Sequence, residues 1–99
     1  MDKDFEMLYK KAKDLTGEKK LNESVSYAHV GCALLTDKGN VYTGICIVAC
    51  CGIGFCAEHA AIIEMLKNDE SRILKIVATD KNGATPPCGR CRELIKQIN

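Results

Sequence analysis

Apolar positions recur at spacings of three and four over the first fifteen residues, where Phe5, Leu8, Tyr9, Ala12 and Leu15 are interleaved with Lys3, Lys10, Lys11, Lys13 and Asp14. That period predicts a helix with one buried stripe, ended at Gly17. The polar run 18–24 predicts a loop leading into Val25-Ser26-Tyr27-Ala28-His29. The pattern then shortens to strands: residues 30–36 predict a buried strand, 37–40 a tight turn and 41–47 a second strand, together a hairpin. Cys32, mid-strand among apolar neighbours, reads as a small buried hydrophobe. A loop rich in glycine and cysteine follows over 48–55. Helical spacing resumes at Cys56 and runs through Ala60, Ile63 and Leu66 to about Asn68, a third strand covers 73–79, and 80–85 is a loop. Pro87 suits the first turn of a last helix whose apolar side continues through Leu94, Ile95 and Ile98. This order predicts an α/β domain with helices on the faces of a sheet, and the strand-helix-strand unit predicts a third strand parallel to a neighbour.

Ninety-nine residues predict one domain, 1–99, that buries roughly 65% of its unfolded surface. Fourteen basic and thirteen acidic residues leave a formal charge of +1, which gives no reason to expect a nucleic-acid or membrane-surface partner and favours a small, near-neutral ligand. Seven cysteines would suit a secreted disulfide scaffold. The amphipathic start at Met1 is unlike a signal peptide, however, and the number is odd, so a reducing cytoplasm is the expectation. The longest apolar stretch, 45–55, falls short of the roughly 20 residues a membrane span needs.

The chemistry gathers in Cys56-Ala57-Glu58-His59 and in Pro86-Pro87-Cys88-Gly89-Arg90-Cys91-Arg92-Glu93. Cys88 and Cys91 have the two-residue gap that lets one metal ion take both thiolates, and Cys56 offers a third ligand from a separate segment. Three protein ligands leave one position open, the arrangement of a catalytic zinc. Glu58 lies close enough to serve that position without being a ligand. Two other readings stay open: a structural four-cysteine site completed by Cys50 or Cys51, and a redox pair at Cys88 and Cys91 that leaves Glu58 without a role.

With these segments the sequence resembles the zinc-dependent cytidine deaminase family, whose ligand segments include the three-cysteine variant. The resemblance covers roughly residues 20–99, and the stretch from Tyr27 to Leu34 with the loop before Cys56 is similar to the blasticidin S deaminase branch. It implies a three-layer α/β/α cytidine deaminase-like fold with a mixed sheet, truncated after the Pro-Cys-x-x-Cys helix. It implies that Cys56, Cys88 and Cys91 bind zinc, that Glu58 moves protons, and that a cytosine-containing nucleoside or nucleoside antibiotic loses its amine as ammonia. Tyr27, Ala57 and Cys46 fall at substrate-binding positions. Three thiolates on one divalent ion give a net charge of −1, which two helix N-termini, Arg92 and His59 would offset. The resemblance also implies a homotetramer or dimer.

Two departures bear on the substrate. The family's sugar-gripping Asn-x-Glu positions are Cys46 and Val48 here, and its base-packing aromatic is replaced by Ala28, with Tyr27 beside it. The chain also stops at Asn99, where family domains continue with further strands. The alternative function is therefore a non-catalytic zinc-binding domain of the same fold, with a structural metal.

Overall fold

The computed structural model describes residues 3–49, 54–84 and 95–98. Helix α1 spans Lys3–Leu15, β1 Lys19–Lys20, β2 Ser26–Thr36, β3 Val41–Val48, β4 Gly54–Phe55, α2 Ala57–Lys67, β5 Ile73–Asp80 and β6 Gly83–Ala84. Residues 95–98 are helical. Cys50, Cys51, Cys88, Cys91, Arg90 and Arg92 lie outside the described residues.

The sheet runs β4-β3-β2-β5-β6, with β1 also paired to β2. Strand β2 is its spine, matched to β3 from Gly31↔Ile45 to Leu35↔Val41 and to β5 from Gly31↔Thr79 to Leu35↔Lys75. The strand-helix-strand unit β3-α2-β5 gives β3 and β5 the same direction. Strand β2 lies between them, so every paired neighbour among the described residues is antiparallel, β5 included. The β2–β3 hairpin had already filled the edge beside β3 that a parallel partner would need.

Alternation along β2 divides the interior in two, because successive side chains point to opposite faces. Cys32 and Leu34 join Ala57, Ala61, Ile62 and Met65 of α2, with Ile95 and Ile98 packed against the same cluster. Ala33 and Leu35 meet Leu8 and Ala12 of α1 together with Val77. The molecule therefore has three layers, with α1 on one side of the sheet and α2 with residues 95–98 on the other.

Two glycines let the helices approach. A Cβ at Gly31 would collide with the Ala12 carbonyl oxygen, and one at Gly44 would lie 2.5 Å from the Ala57 oxygen and 2.6 Å from the Ala61 nitrogen. The second contact seats the first turn of α2 directly on β3.

The loop predicted over 18–24 and the one over 48–55 each contain a two-residue strand, β1 and β4. Pairs that short carry no periodicity to read. Strand β2 also starts four residues earlier than its apolar run, crossing an irregularity between Tyr27 and Gly31 where Ala28 takes φ 66°.

Candidate active site

The sheet register delivers the chain to this site. Ile47 and Val48 pair with Phe55 and Gly54, so the end of β3 sits beside the residues that lead into α2. Cys56 is the N-cap of α2, in extended conformation with φ −74° and ψ 148°, and its carbonyl accepts the Ala60 amide at 3.2 Å. It has no side-chain capping bond. Its sulfur stands at the positive end of the helix, next to amides that lack intrahelical partners, a place that favours an anion.

Glu58 follows in the first turn and is only 5% exposed. Helix α2 presents it toward β2, where its charge is felt by Cys32: burial pushes the Cys32 thiol up, and the neighbouring Glu58 carboxylate pushes it further. Cys32 is thus the fully buried hydrophobe expected, and also lies near enough to the carboxylate to feel its charge. The proximity of Cys32 to Glu58 could be read only once β2 was placed under α2.

His59 is 6% exposed, its ring edge-on to Phe55 at 5.4 Å between centroids, and its Nε2 is buried with no hydrogen-bond partner. A buried imidazole nitrogen without a partner loses its hydration for no return, so such atoms ask for a ligand or an ion. Ala57 is fully buried between α2 and β3. Cys46 is buried, and its sulfur accepts the Val30 amide at 3.4 Å. Tyr27 is half-buried on β2, opposite Lys19 and Ile47.

The structure therefore brings Cys56, Ala57, Glu58 and His59 together on one helical turn, with Cys46 on the adjoining strand. No group of three or more His, Cys, Asp or Glu side chains is placed to hold a metal among the described residues. Of the three expected ligands only Cys56 is among them, and its donor chemistry fits zinc: a sulfur at a helix N-cap beside a buried carboxylate.

Residues 3–99 match the family described as cytidine and deoxycytidylate deaminase zinc-binding region. A cytidine deaminase of Halalkalibacterium halodurans is 34% identical over 71 residues, which cover 70% of this chain and 54% of that relative. The chain thus spans about half the length of that curated relative. A crystal structure of cytidine deaminase from Mycobacterium tuberculosis matches with a TM-score of 0.82 and 28% identity, over 99% of this chain and 80% of that one. The enzyme from Mycobacterium leprae shares the fold at a TM-score of 0.81 and 24% identity, over 99% and 82% of the two chains.

Proposed function

The chain belongs to the cytidine and deoxycytidylate deaminase zinc-binding family, and from that premise we propose that residues 1–99 form a single zinc-dependent deaminase domain acting on a cytosine-bearing small molecule. The observation that carries this reading is the buried Glu58 in the first turn of α2, two residues after the cysteine at its N-cap. A purely structural metal site has no use for a carboxylate kept from water at that point.

Zinc would be held by Cys56, Cys88 and Cys91, and when bound it supplies Lewis-acid activation of water at neutral pH. The chain's own groups do the rest. The Glu58 carboxylate takes a proton from the attacking water and passes it to the ring nitrogen beside the amine-bearing carbon. A second proton relayed by the same carboxyl group accompanies breakage of the carbon–nitrogen bond, so water is consumed and ammonia and a uracil-type ring are formed. Burial suits the task, because a carboxylate shielded from bulk water exchanges its proton with the substrate rather than with solvent. His59 and Arg92 would offset the excess negative charge of the thiolates. Tyr27, Ala57 and Cys46 would border the substrate.

The finer parts of the reading are a substrate of the blasticidin S or cytidine type, a cytoplasmic setting and self-association into dimers or tetramers. They are supported by the segment from Tyr27 to Leu34, by the cysteine usage and by exposed apolar residues on α2. No helix among the described residues is long and apolar enough to cross a membrane.

An ultraviolet deamination assay against cytidine, deoxycytidine, cytosine and blasticidin S tests the activity. Glu58→Ala should lower turnover about a hundredfold to ten-thousandfold, the usual share of a general acid-base group. Undiminished turnover in that variant sinks the mechanism. X-ray absorption should report three sulfurs and one light atom around the zinc, and four sulfurs would point to the structural site instead.

A further inference from the structure

The register between β3 and β4 matches Ile47 with Phe55 and Val48 with Gly54, so the next opposed positions are Cys46 and Cys56. Strand β4 ends at Phe55, but the chain stays extended through Cys56, with φ −74° and ψ 148°, before α2 turns away. We propose that Cys46 and Cys56 form a reversible disulfide under peroxide, which takes the Cys56 sulfur out of the site and suspends activity until a thiol reductant returns it. The pairing rests on the strand register, and its consequence for zinc on the deaminase reading.

Geometry is the first argument. Directly opposed residues of an antiparallel pair lie about 4.5–5.5 Å apart at Cα and project to the same face. A disulfide needs about 4.4–6.8 Å, so the bridge asks for side-chain rotation and little movement of the backbone. Cys46 belongs to the cluster around Ala57, Ala61 and Ile62, on the side of the sheet that α2 occupies. That is the side on which Cys56 begins the helix. Cys32 belongs to the same cluster, yet it stands opposite Gly44 on β3 and Ala78 on β5. With no cysteine across from it on either strand, it serves as an internal control.

Exposure divides the roles. Cys56 is half-buried, whereas Cys46 is only 8% exposed and its sulfur is held by the Val30 amide at 3.4 Å. An oxidant from solvent therefore meets Cys56 first. Hydrogen peroxide converts the Cys56 S–H to S–OH, and the other peroxide oxygen leaves as water. The Cys46 sulfur then attacks the Cys56 sulfur: the Cys46 S–H bond and the Cys56 S–O bond break, the S–S bond forms, and a second water departs. Two thiols are oxidised and one peroxide is reduced. Without a second thiol in reach, the sulfenic acid goes on to the sulfinic acid, which thiol reductants do not reverse. The pairing thus protects a sulfur of the site from permanent loss.

Peptide mapping tests the bridge without reference to turnover. The 99-residue chain, zinc-loaded in one sample and stripped by a chelator in another, would be treated with hydrogen peroxide, alkylated and cut with chymotrypsin after Phe55, which separates Cys46 from Cys56. The Cys46 fragment should be recovered joined to the Cys56 fragment, with the loss of two hydrogens, and dithiothreitol should part them. The link should persist in Cys50→Ser and in Cys51→Ser, disappear in Cys46→Ser, and leave Cys32 alkylated. A metal indicator should show zinc leaving the loaded chain under peroxide and returning after dithiothreitol, with the return lost in Cys46→Ser. Cys56 joined to any other cysteine, Cys56 oxidised without a link, or a link that survives Cys46→Ser would overturn the proposal. A Cys46–Cys56 link in a chain that never retains zinc would support the bridge and count against the deaminase reading instead, so the two failures are told apart.

Discussion

Three side-chain donors converge on the Glu70 carboxylate. Its Oε1 accepts the Thr36 hydroxyl at 2.5 Å, and its Oε2 accepts the Asn40 amide at 2.8 Å and the Tyr42 hydroxyl. These donors favour the charged carboxylate, those of Thr36 and Tyr42 most, so Glu70 is held below its ordinary value of 4.5. The same carboxylate, by accepting its hydrogen bond, keeps Tyr42 protonated and pushes it up to about 12. A carboxyl group whose folded value is lowered stabilises the fold above its unfolded value and loses that contribution as pH falls through the folded one. A phenol whose folded value is raised does so below 10, its unfolded value, and loses it as pH rises toward 12. Denaturant titrations should therefore show stability falling below pH 4.5 and again between pH 10 and 12. Glu70→Gln should flatten both limbs and lower the melting temperature by several degrees, with deamination per folded molecule unchanged. An identical acid limb in the variant would exclude Glu70 as its source. Nothing in the sequence singled out this residue, because its three partners come from another segment, around the turn of the β2–β3 hairpin.

Helix α2 is the element that converts the fold into a site, and it is pinned at both ends. At its start Gly44 leaves room for the Ala57 carbonyl and the Ala61 amide. Gly44→Ala would place a methyl group 2.5 Å from that carbonyl, so the helix must shift. A cost of about 1–3 kcal/mol is expected from overpacking. Because the shifted turn carries Cys56 and Glu58, activity should fall even at temperatures where circular dichroism reports a folded chain. At its other end Asp69 takes φ 63°, with its amide bonded to the Leu66 oxygen and the Glu70 amide to the Met65 oxygen. This is a left-handed C-terminal stop, and it turns Glu70 into its hydrogen-bonding partners. Glycine suits that conformation better than aspartate, so Asp69→Gly should stabilise by up to about 1 kcal/mol in a thermal melt, and Asp69→Val should destabilise. The stretch from Cys56 to Asn68 was legible as a helix from its period and its N-terminal position, and so were α1, the β2–β3 hairpin and β5. The end of α2 near Asn68 was legible too, although its left-handed stop at Asp69 lacks the glycine that marks most such stops. The strands β1, β4 and β6 were not, because two residues held by a neighbouring strand leave no pattern of their own. The turn bearing Cys56 and Glu58 was legible because its residue types are rare and closely spaced, whereas the burial of His59 against Phe55 depends on a pairing with β3 that sequence spacing does not encode.

At the scale of the molecule, the radius of gyration of 13.1 Å is that of a compact domain of about 100 residues. Apolar side chains left outside are therefore not signs of an opened core. The outward face of α2 carries Ile63 at 52% and Leu66 at 45% exposure, and the β3 side of the sheet exposes Ile45 and Ile47. With a formal charge of only +1, long-range repulsion between copies is weak. Buried apolar area is worth about 25 cal/mol per Å², and a helix face with two large aliphatic residues so exposed gains most by meeting its own copy across a twofold axis, where each contributes twice. Such contact would also cover the helix that carries Glu58 and keep bulk water from its outer side. Sedimentation at micromolar concentration should show a dimer or tetramer. Ile63→Lys combined with Leu66→Lys should give a monomer with unchanged helix content, since both side chains lie outside the two core clusters. A wild-type monomer at that concentration, or an oligomer that tolerates both lysines, would place the assembly surface elsewhere than on α2.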